Sequence, residues 1–149
     1  MRAIVQRVQR GAVSVDGRPV AAINAGLVIL VGATHDDTSD QAQHLARKIA
    51  WLRIFEDAAG KMNRSILDVA GEALVVPQFT LYADCRHGRR PSFTDAARPE
   101  LAERLIARFA DALRAEGVRR VENGVFGAYM LVEIYNDGPV TIALDSDDL

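Results

Sequence analysis

Apolar and polar positions change period several times along the chain, and each change marks an expected element. Arg2 to Val8 and Ala12 to Val15 read as strands, Asp16-Gly17 is a hairpin turn signal, and a third strand follows near Val20 to Ile23, so the opening is expected to be a β-meander. Gly26 then introduces Leu27 to Ala33, a continuous apolar run. Its short length and flanking glycines favour a strand covered on both faces over a helix. From Asp37 to Ser39 come residues that cap helices, and Ala42, Leu45, Ile49 and Leu52 follow at helical spacing with Gln43, Arg47 and Lys48 on other sides. This predicts a helix covering a sheet. Trp51, near its end, is expected to pack inward, as large aromatics usually do.

The second half repeats this logic. A short strand or turn after Asn63 leads to a strand from Glu72. It opens the stretch Leu74 to Phe93, in which an apolar run ends in polar residues and breaks into a basic, glycine-containing loop. If extended, that stretch places Gln78, Thr80 and Tyr82 on one side and Phe79 and Leu81 on the other. Pro99 suits the first turn of a second helix, Leu101, Leu105, Phe109 and Leu113 recur every four residues, and Gly117 ends it. Glu100 and Arg104, at i and i+4, read as surface support for that helix. Near the end, Met130, Val132 and Ile134 oppose Leu131, Glu133 and Tyr135, and Val140, Ile142 and Leu144 oppose Thr141 and Ala143. These are expected to be two strands joined by Asn136 to Pro139, with an acidic, frayed tail from Asp145 to Leu149.

Composition narrows the classes. With 149 residues, 49% hydrophobic and 26% charged, the chain fits one soluble domain over 1–149 that buries a core without staples. No apolar run reaches the ~20 residues of a membrane helix and the N-terminus lacks a signal-peptide layout, so a cytoplasmic location and no membrane partner are expected. Cys85 is the only cysteine, and His35, His44 and His87 have no metal-ligand spacing. No disulfide, metal or cofactor is expected. A net charge of −2 argues against coating DNA or RNA through a broad basic surface. It leaves room for a small local patch that grips a single-stranded RNA end, to which Arg86, Arg89 and Arg90 would contribute unless that loop merely faces water.

The residues around the basic loop carry a resemblance. Gln78-Phe79-Thr80-Leu81, taken with Asn136-Asp137-Gly138-Pro139-Val140-Thr141, resembles the paired signatures of the D-aminoacyl-tRNA deacylases, which free tRNA from wrongly attached D-amino acids. The opening Arg2 to Val8, Arg53-Ile54-Phe55, Gly60-Lys61-Met62-Asn63 and Arg90-Pro91-Ser92-Phe93 extend the likeness over nearly the whole chain. One residue departs from the pattern: Pro77 stands where the family usually has Ser.

The resemblance implies an α/β fold of the α+β kind, with a largely antiparallel, barrel-like β core, two covering helices and a homodimer. It implies a carboxylic-ester hydrolase acting at the acceptor end of aminoacyl-tRNA, with catalysis attributed to the tRNA's terminal ribose hydroxyl and to backbone amides in Gln78, Phe79 and Thr80. Pro77 would lie against the substrate but offers neither hydroxyl nor N–H. Gly138-Pro139, cis in the family, would enter the partner's site. Its carbonyls would form a wall that excludes L side chains and admits D ones, and glycyl-tRNA would be cleaved as well. Arg7 would hold that loop in place.

Read from the residues alone, other chemistries stay open. Thr80 as a nucleophile has no base within its motif. Cys85, sharing a face with His87 in an extended chain and lying beside Arg86, suggests a thiol hydrolase. A non-catalytic dimeric module binding nucleotide or the tRNA end is the rival from another class.

Overall fold

The computed structural model describes residues 1–149. A long first strand, β1 (Arg2–Val15), turns at Asp16-Gly17 into β2 (Arg18–Ile23), and β3 (Gly26–Gly32) returns beside it. The turn has positive φ at both central residues, as a tight two-residue hairpin requires. The expected break at residues 9–11 is absent, and β1 runs through. Helix α1 (Ser39–Ala50) starts at Thr38, whose hydroxyl and Gln41 form a capping box. A small hairpin, β4 (Phe55–Glu56) with β5 (Met62–Arg64), precedes β6 (Glu72–Pro77). A single 3-10 turn (Phe79–Tyr82) then leads through the basic loop to α2 (Pro99–Ala115), β7 (Arg120–Asn123) and β8 (Met130–Asp145).

The main sheet runs β2-β1-β3-β6-β7, and β8 also pairs with β1. Every pairing of β1 is antiparallel, while β6 lies parallel to β3 and to β7, so the barrel-like sheet is mixed at its centre. The apolar runs of β3 and β6 are buried on both faces, as their unbroken hydrophobicity predicts. Leu27, Ile29, Val31, Ala73 and Val75 face the helices and meet Leu45, Ile49, Leu105, Phe109 and Leu113. The alternate residues Val28, Leu74 and Val76 face a second cluster with Val8, Val13 and Ile23, closed by Met130, Val132 and Ile134.

Bulges make this curvature possible. Val8 and Val13 are five residues apart yet share the second cluster, which a regular strand forbids; register shifts on both sides of Val8 supply the change of phase. On β8 the irregularity is larger. The step from Gln6 to Val8 on β1 is matched by the longer run from Thr141 to Asn136 on β8, so Asp137 to Val140 protrude. The Asn136 side chain spans the protrusion, accepting from Val140 N at 3.0 Å and donating to the Val140 carbonyl at 3.1 Å. The two strands expected here are therefore one strand carrying a bulge. Asn-Asp-Gly-Pro reads locally as a reversal, but the ladder with β1 continues past it.

Two further expectations are corrected. The C-terminal tail is not frayed: Ser146 is buried, its hydroxyl accepts from the Met1 ammonium, and the same ammonium donates to Asp37 at 2.6 Å. Burial is the largest single influence on Asp145 and opposes its ionisation, but the 2.8 Å bond from Arg2, the Asp147 N–H bond and the charges of Arg2 and the N-terminus together hold the carboxyl below its usual range. Trp51 is not packed inward. It is 56% exposed, with its indole N–H donating to Glu116 of the α2 terminus at 2.8 Å. Glu100 and Arg104 are exposed and form no ion pair with each other.

Candidate active site

The β6 ladder continues one residue beyond the strand, with Gln78 N–H donating to the Val31 carbonyl at 2.8 Å. The chain then tightens into the 3-10 turn, so the extended arrangement expected for Gln78 to Tyr82 does not occur. Tyr82 turns inward and is buried, with Arg2 over its ring at 4.6 Å, and burial, with Asp37 and Asp145 adding to it, pushes its hydroxyl pKa up. Phe79, expected on the side of an extended stretch opposite Gln78 and Thr80, is 57% exposed and meets Phe93 edge-on, with ring centroids 5.1 Å apart. The first bond of the turn runs from Leu81 N–H to the Gln78 carbonyl at 3.3 Å. The N–H groups of Phe79 and Thr80 precede it, so the turn supplies them no acceptor. Gln78 Nε2 donates to the Thr80 hydroxyl, tying the two side chains together.

This turn borders a cavity of about 710 Å³ between the sheet edge and α2. Pro77, Gln78 and Phe79 line it, together with the apolar Phe93, Phe126 and Met130. Gly32 sits beneath: a Cβ there would lie 2.6 Å from the Gln78 carbonyl, so only glycine lets the backbones approach this closely. Among the lining residues the only ionisable side chains are Arg98 and Tyr129. No carboxylate, histidine, cysteine or lysine reaches the wall, and Thr80 itself does not line it.

The remaining expected residues form a second group. Arg7 is buried and donates from Nη1 to the Ile54 carbonyl at 2.7 Å and from Nε to the Asp137 carbonyl at 3.2 Å, with the Asp137 carboxylate also 3.2 Å away. It thus anchors the β8 protrusion, at whose tip Gly138 and Pro139 are exposed. The Gly138-Pro139 bond is cis. None of Arg7, Gly138 and Pro139 lines the cavity of their own chain. Sequence reasoning missed Phe126, Met130 and Ile106 as lining residues. Phe126 lies in a turn segment without a motif, Met130 reads only as part of a strand's alternation, and Ile106 lies beside the four-residue repeat read for α2 and carries no signal of its own.

The basic loop is closed by a two-way backbone bridge between Asp84 and Ser92, at 2.7 and 2.9 Å. Arg86 folds back on Asp84 through its backbone N–H, Nε and Nη2, while Arg89 and Arg90 are exposed and make no hydrogen bond or ion pair. Cys85 is exposed and no hydrogen bond links it to His87, so the arrangement imagined for a thiol mechanism is not assembled. The Arg86 bonds lower the Asp84 carboxyl from 3.8 to about 2. A depressed carboxylate stabilises the folded loop above the ordinary value and loses that contribution as pH falls through the folded one. The Asp84 carboxyl carbon, followed by NMR, is accordingly expected to titrate near 2; an inflection at 3.8 would show that the pair does not persist in solution.

Residues 4–145 match the family model described as D-Tyr-tRNA(Tyr) deacylase. The chain belongs to this deacylase family. A D-aminoacyl-tRNA deacylase from Thermomicrobium roseum is 60% identical, the alignment covering 100% of this chain and 96% of that protein. One from Fervidobacterium nodosum is 58% identical over 98% and 97%. Among solved structures, a c-Myc DNA Unwinding Element Binding Protein superposes with a TM-score of 0.91 at 43% identity, covering 97% of this chain and 98% of that one. A probable eukaryotic D-amino acid tRNA deacylase shares the fold, with a TM-score of 0.84 at 20% identity over 96% and 97%. The two segments that carry the resemblance thus lie apart in the chain, Gln78 and Phe79 on the cavity wall and Asp137 to Val140 on the protrusion.

Proposed function

We propose that the chain hydrolyses the ester of D-aminoacyl-tRNA at the acceptor end, releasing free tRNA and a D-amino acid, with glycyl-tRNA as a further substrate. The deacylase names of full-length relatives at 54–60% identity support the activity. The observation that carries the mechanism is the cavity wall, which has amide-bearing backbone and aromatic rings but no side chain suited to act as a base at neutral pH. Ester hydrolysis needs a proton acceptor and a stabilised oxyanion. In this reading the 2′-hydroxyl of the terminal ribose assists the attack, and the N–H of Phe79 on the wall, joined by that of Thr80 just behind it in the turn, holds the developing oxyanion. Gln78 positions the turn through Thr80, and Pro77 contributes apolar surface where the family usually has Ser.

Selectivity would come from the protrusion. Gly138 and Pro139 stand exposed on a bulge fixed by Arg7, outside their own cavity, so they serve a site only if a second copy brings them there. A homodimer is therefore part of the proposal. The exposed Leu131 and Tyr135 along β8 supply apolar surface for it. In the partner's site the carbonyl oxygens of the loop would exclude an L side chain and leave a D side chain or hydrogen unhindered. Equilibrium sedimentation checks this directly: a fully active monomer would remove the shared site.

A second reading, a nucleic-acid-binding module without catalysis, is favoured by the name of the 43% identical structural neighbour and by the unpaired Arg89 and Arg90. Incubation with D-Tyr-tRNA separates the two: the deacylase shortens the life of the ester, and a binder leaves it unchanged or lengthens it. Within the deacylase reading, Thr80→Ala is expected to lose less than about tenfold in rate, since the hydroxyl contributes positioning through one hydrogen bond. Cys85→Ala is expected to keep wild-type activity. Abolished turnover in a folded Thr80→Ala protein, or in Cys85→Ala, would assign the nucleophile to that side chain.

A further inference from the structure

The end of α1 and the β4–β5 hairpin meet in a surface that the ester site does not use. Trp51, the only tryptophan in the chain, stands there with its edge fixed by the bond to Glu116 and more than half of its surface in solvent. It forms a common wall between two grooves. Arg47 and Lys48 line one, and Arg53 and Arg64 line the other. All four cations are exposed, and Lys48 and Arg53 make no hydrogen bond or ion pair. The carboxylates nearby are Glu116, 4.0 Å from Arg47; Asp68, whose pKa is lowered first by its bonds to Ser65 and then by Arg64 and Arg53; and Asp57, which accepts from Asn63 Nδ2 at 2.7 Å and also faces Arg64. Four cations against three carboxylates, with Lys48 and Arg53 making no ion pair, leave a local positive excess on a chain whose net charge is −2.

An exposed indole framed by a local excess of cations, of which Lys48 and Arg53 have no partner, matches a sugar-phosphate backbone, with the cations on phosphates and the ring against a ribose or base. Its position adds to this. Ile54, next to Arg53, gives its carbonyl to Arg7, and Arg7 holds the Asp137 carbonyl at the base of the protrusion. The basic surface is thus joined to the Gly138-Pro139 tip through one buried side chain.

We propose that this surface is a second contact for the substrate RNA, taking the backbone of the double-stranded stem adjoining the acceptor end; the identity of the RNA rests on the deacylase reading above. Affinity for tRNA then comes largely from a place remote from the chemistry, and the ester site needs only to hold the single-stranded terminus. Arg47, Lys48 and Arg53 contact phosphates, and Trp51 reports on the encounter.

The test uses the intrinsic fluorescence of the full chain, which reads Trp51 alone. Deacylated tRNA is expected to quench it saturably and less at higher salt, while the single-stranded trinucleotide CCA leaves it unchanged. The combined variant Arg47→Ala, Lys48→Ala, Arg53→Ala should bind tRNA about tenfold or more weakly, with a log–log salt slope shallower by roughly 2 to 3. Its hydrolysis of D-tyrosyl-adenosine, an ester without a stem, should match wild type. No quench at tRNA concentrations that support D-Tyr-tRNA cleavage would overturn the proposal, as would equal quenching by CCA or an unchanged salt slope. Emission typical of a buried indole in the free protein would also overturn it, because a second copy would then cover the surface. A retained quench without any ester cleavage would uphold the surface and sink the deacylase reading instead.

Discussion

D-Tyr-tRNA ending in 2′-deoxyadenosine, with the amino acid on the 3′ oxygen, is expected to be cleaved at least about a hundredfold more slowly than its ribose counterpart. General acid–base assistance contributes on the order of 10² to 10⁴ in rate, and the cavity offers no carboxylate, histidine, cysteine or lysine to replace the missing hydroxyl. Tyr129, though ionisable and on the rim, is 94% exposed. Binding should be nearly unaffected, so the loss should appear in single-turnover rate rather than in saturation. Normal cleavage of the deoxy substrate would require a base supplied by the protein, and the search would return to the partner chain.

The second large effect belongs to Gly138→Ala. Gly138 has a φ of +124°, a conformation essentially restricted to glycine, and a Cβ would lie 2.9 Å from Val140 Cγ2 and 3.0 Å from Arg7 Nη2. The strain is worth about 1 to 3 kcal/mol. Arg7 must shift to relieve the contact, which loosens its bonds to the Asp137 and Ile54 carbonyls and displaces the tip of the protrusion. A displacement near 1 Å in a positioning element costs on the order of a hundredfold in rate, so D-Tyr-tRNA cleavage should fall by about that factor and the D over L preference should narrow. Circular dichroism and the unfolding midpoint separate this from misfolding. A folded Gly138→Ala protein as active and selective as wild type would place discrimination elsewhere.

Much of the scaffold was legible because it depends on local pattern. The unbroken run at Leu27 to Val31, the Asp16-Gly17 turn, the Thr38 cap and Pro99 at the start of α2 each carry their reason within a few residues. What failed depends on distant partners. Trp51 is drawn out of the core by Glu116, sixty-five positions away, and the tail is ordered by the Met1 ammonium. The Asn136 to Val140 bulge looks like a strand connection until its ladder with β1 is known. At the site, Gln78 to Tyr82 contains no turn residue after Pro77, so alternation suggested a strand. The 3-10 turn that exposes Phe79 and buries Tyr82 follows from how Gln78 docks over Gly32. The two signature segments were visible as motifs, but their separation into a cavity and a remote protrusion was not.

The most direct measurement is ester loss from matched D-Tyr-tRNA and L-Tyr-tRNA, on the same tRNA, with the purified full chain. The account predicts that the D ester disappears far faster than it does without protein while the L ester persists at its spontaneous rate. Equal acceleration of both esters, or of neither, would contradict it.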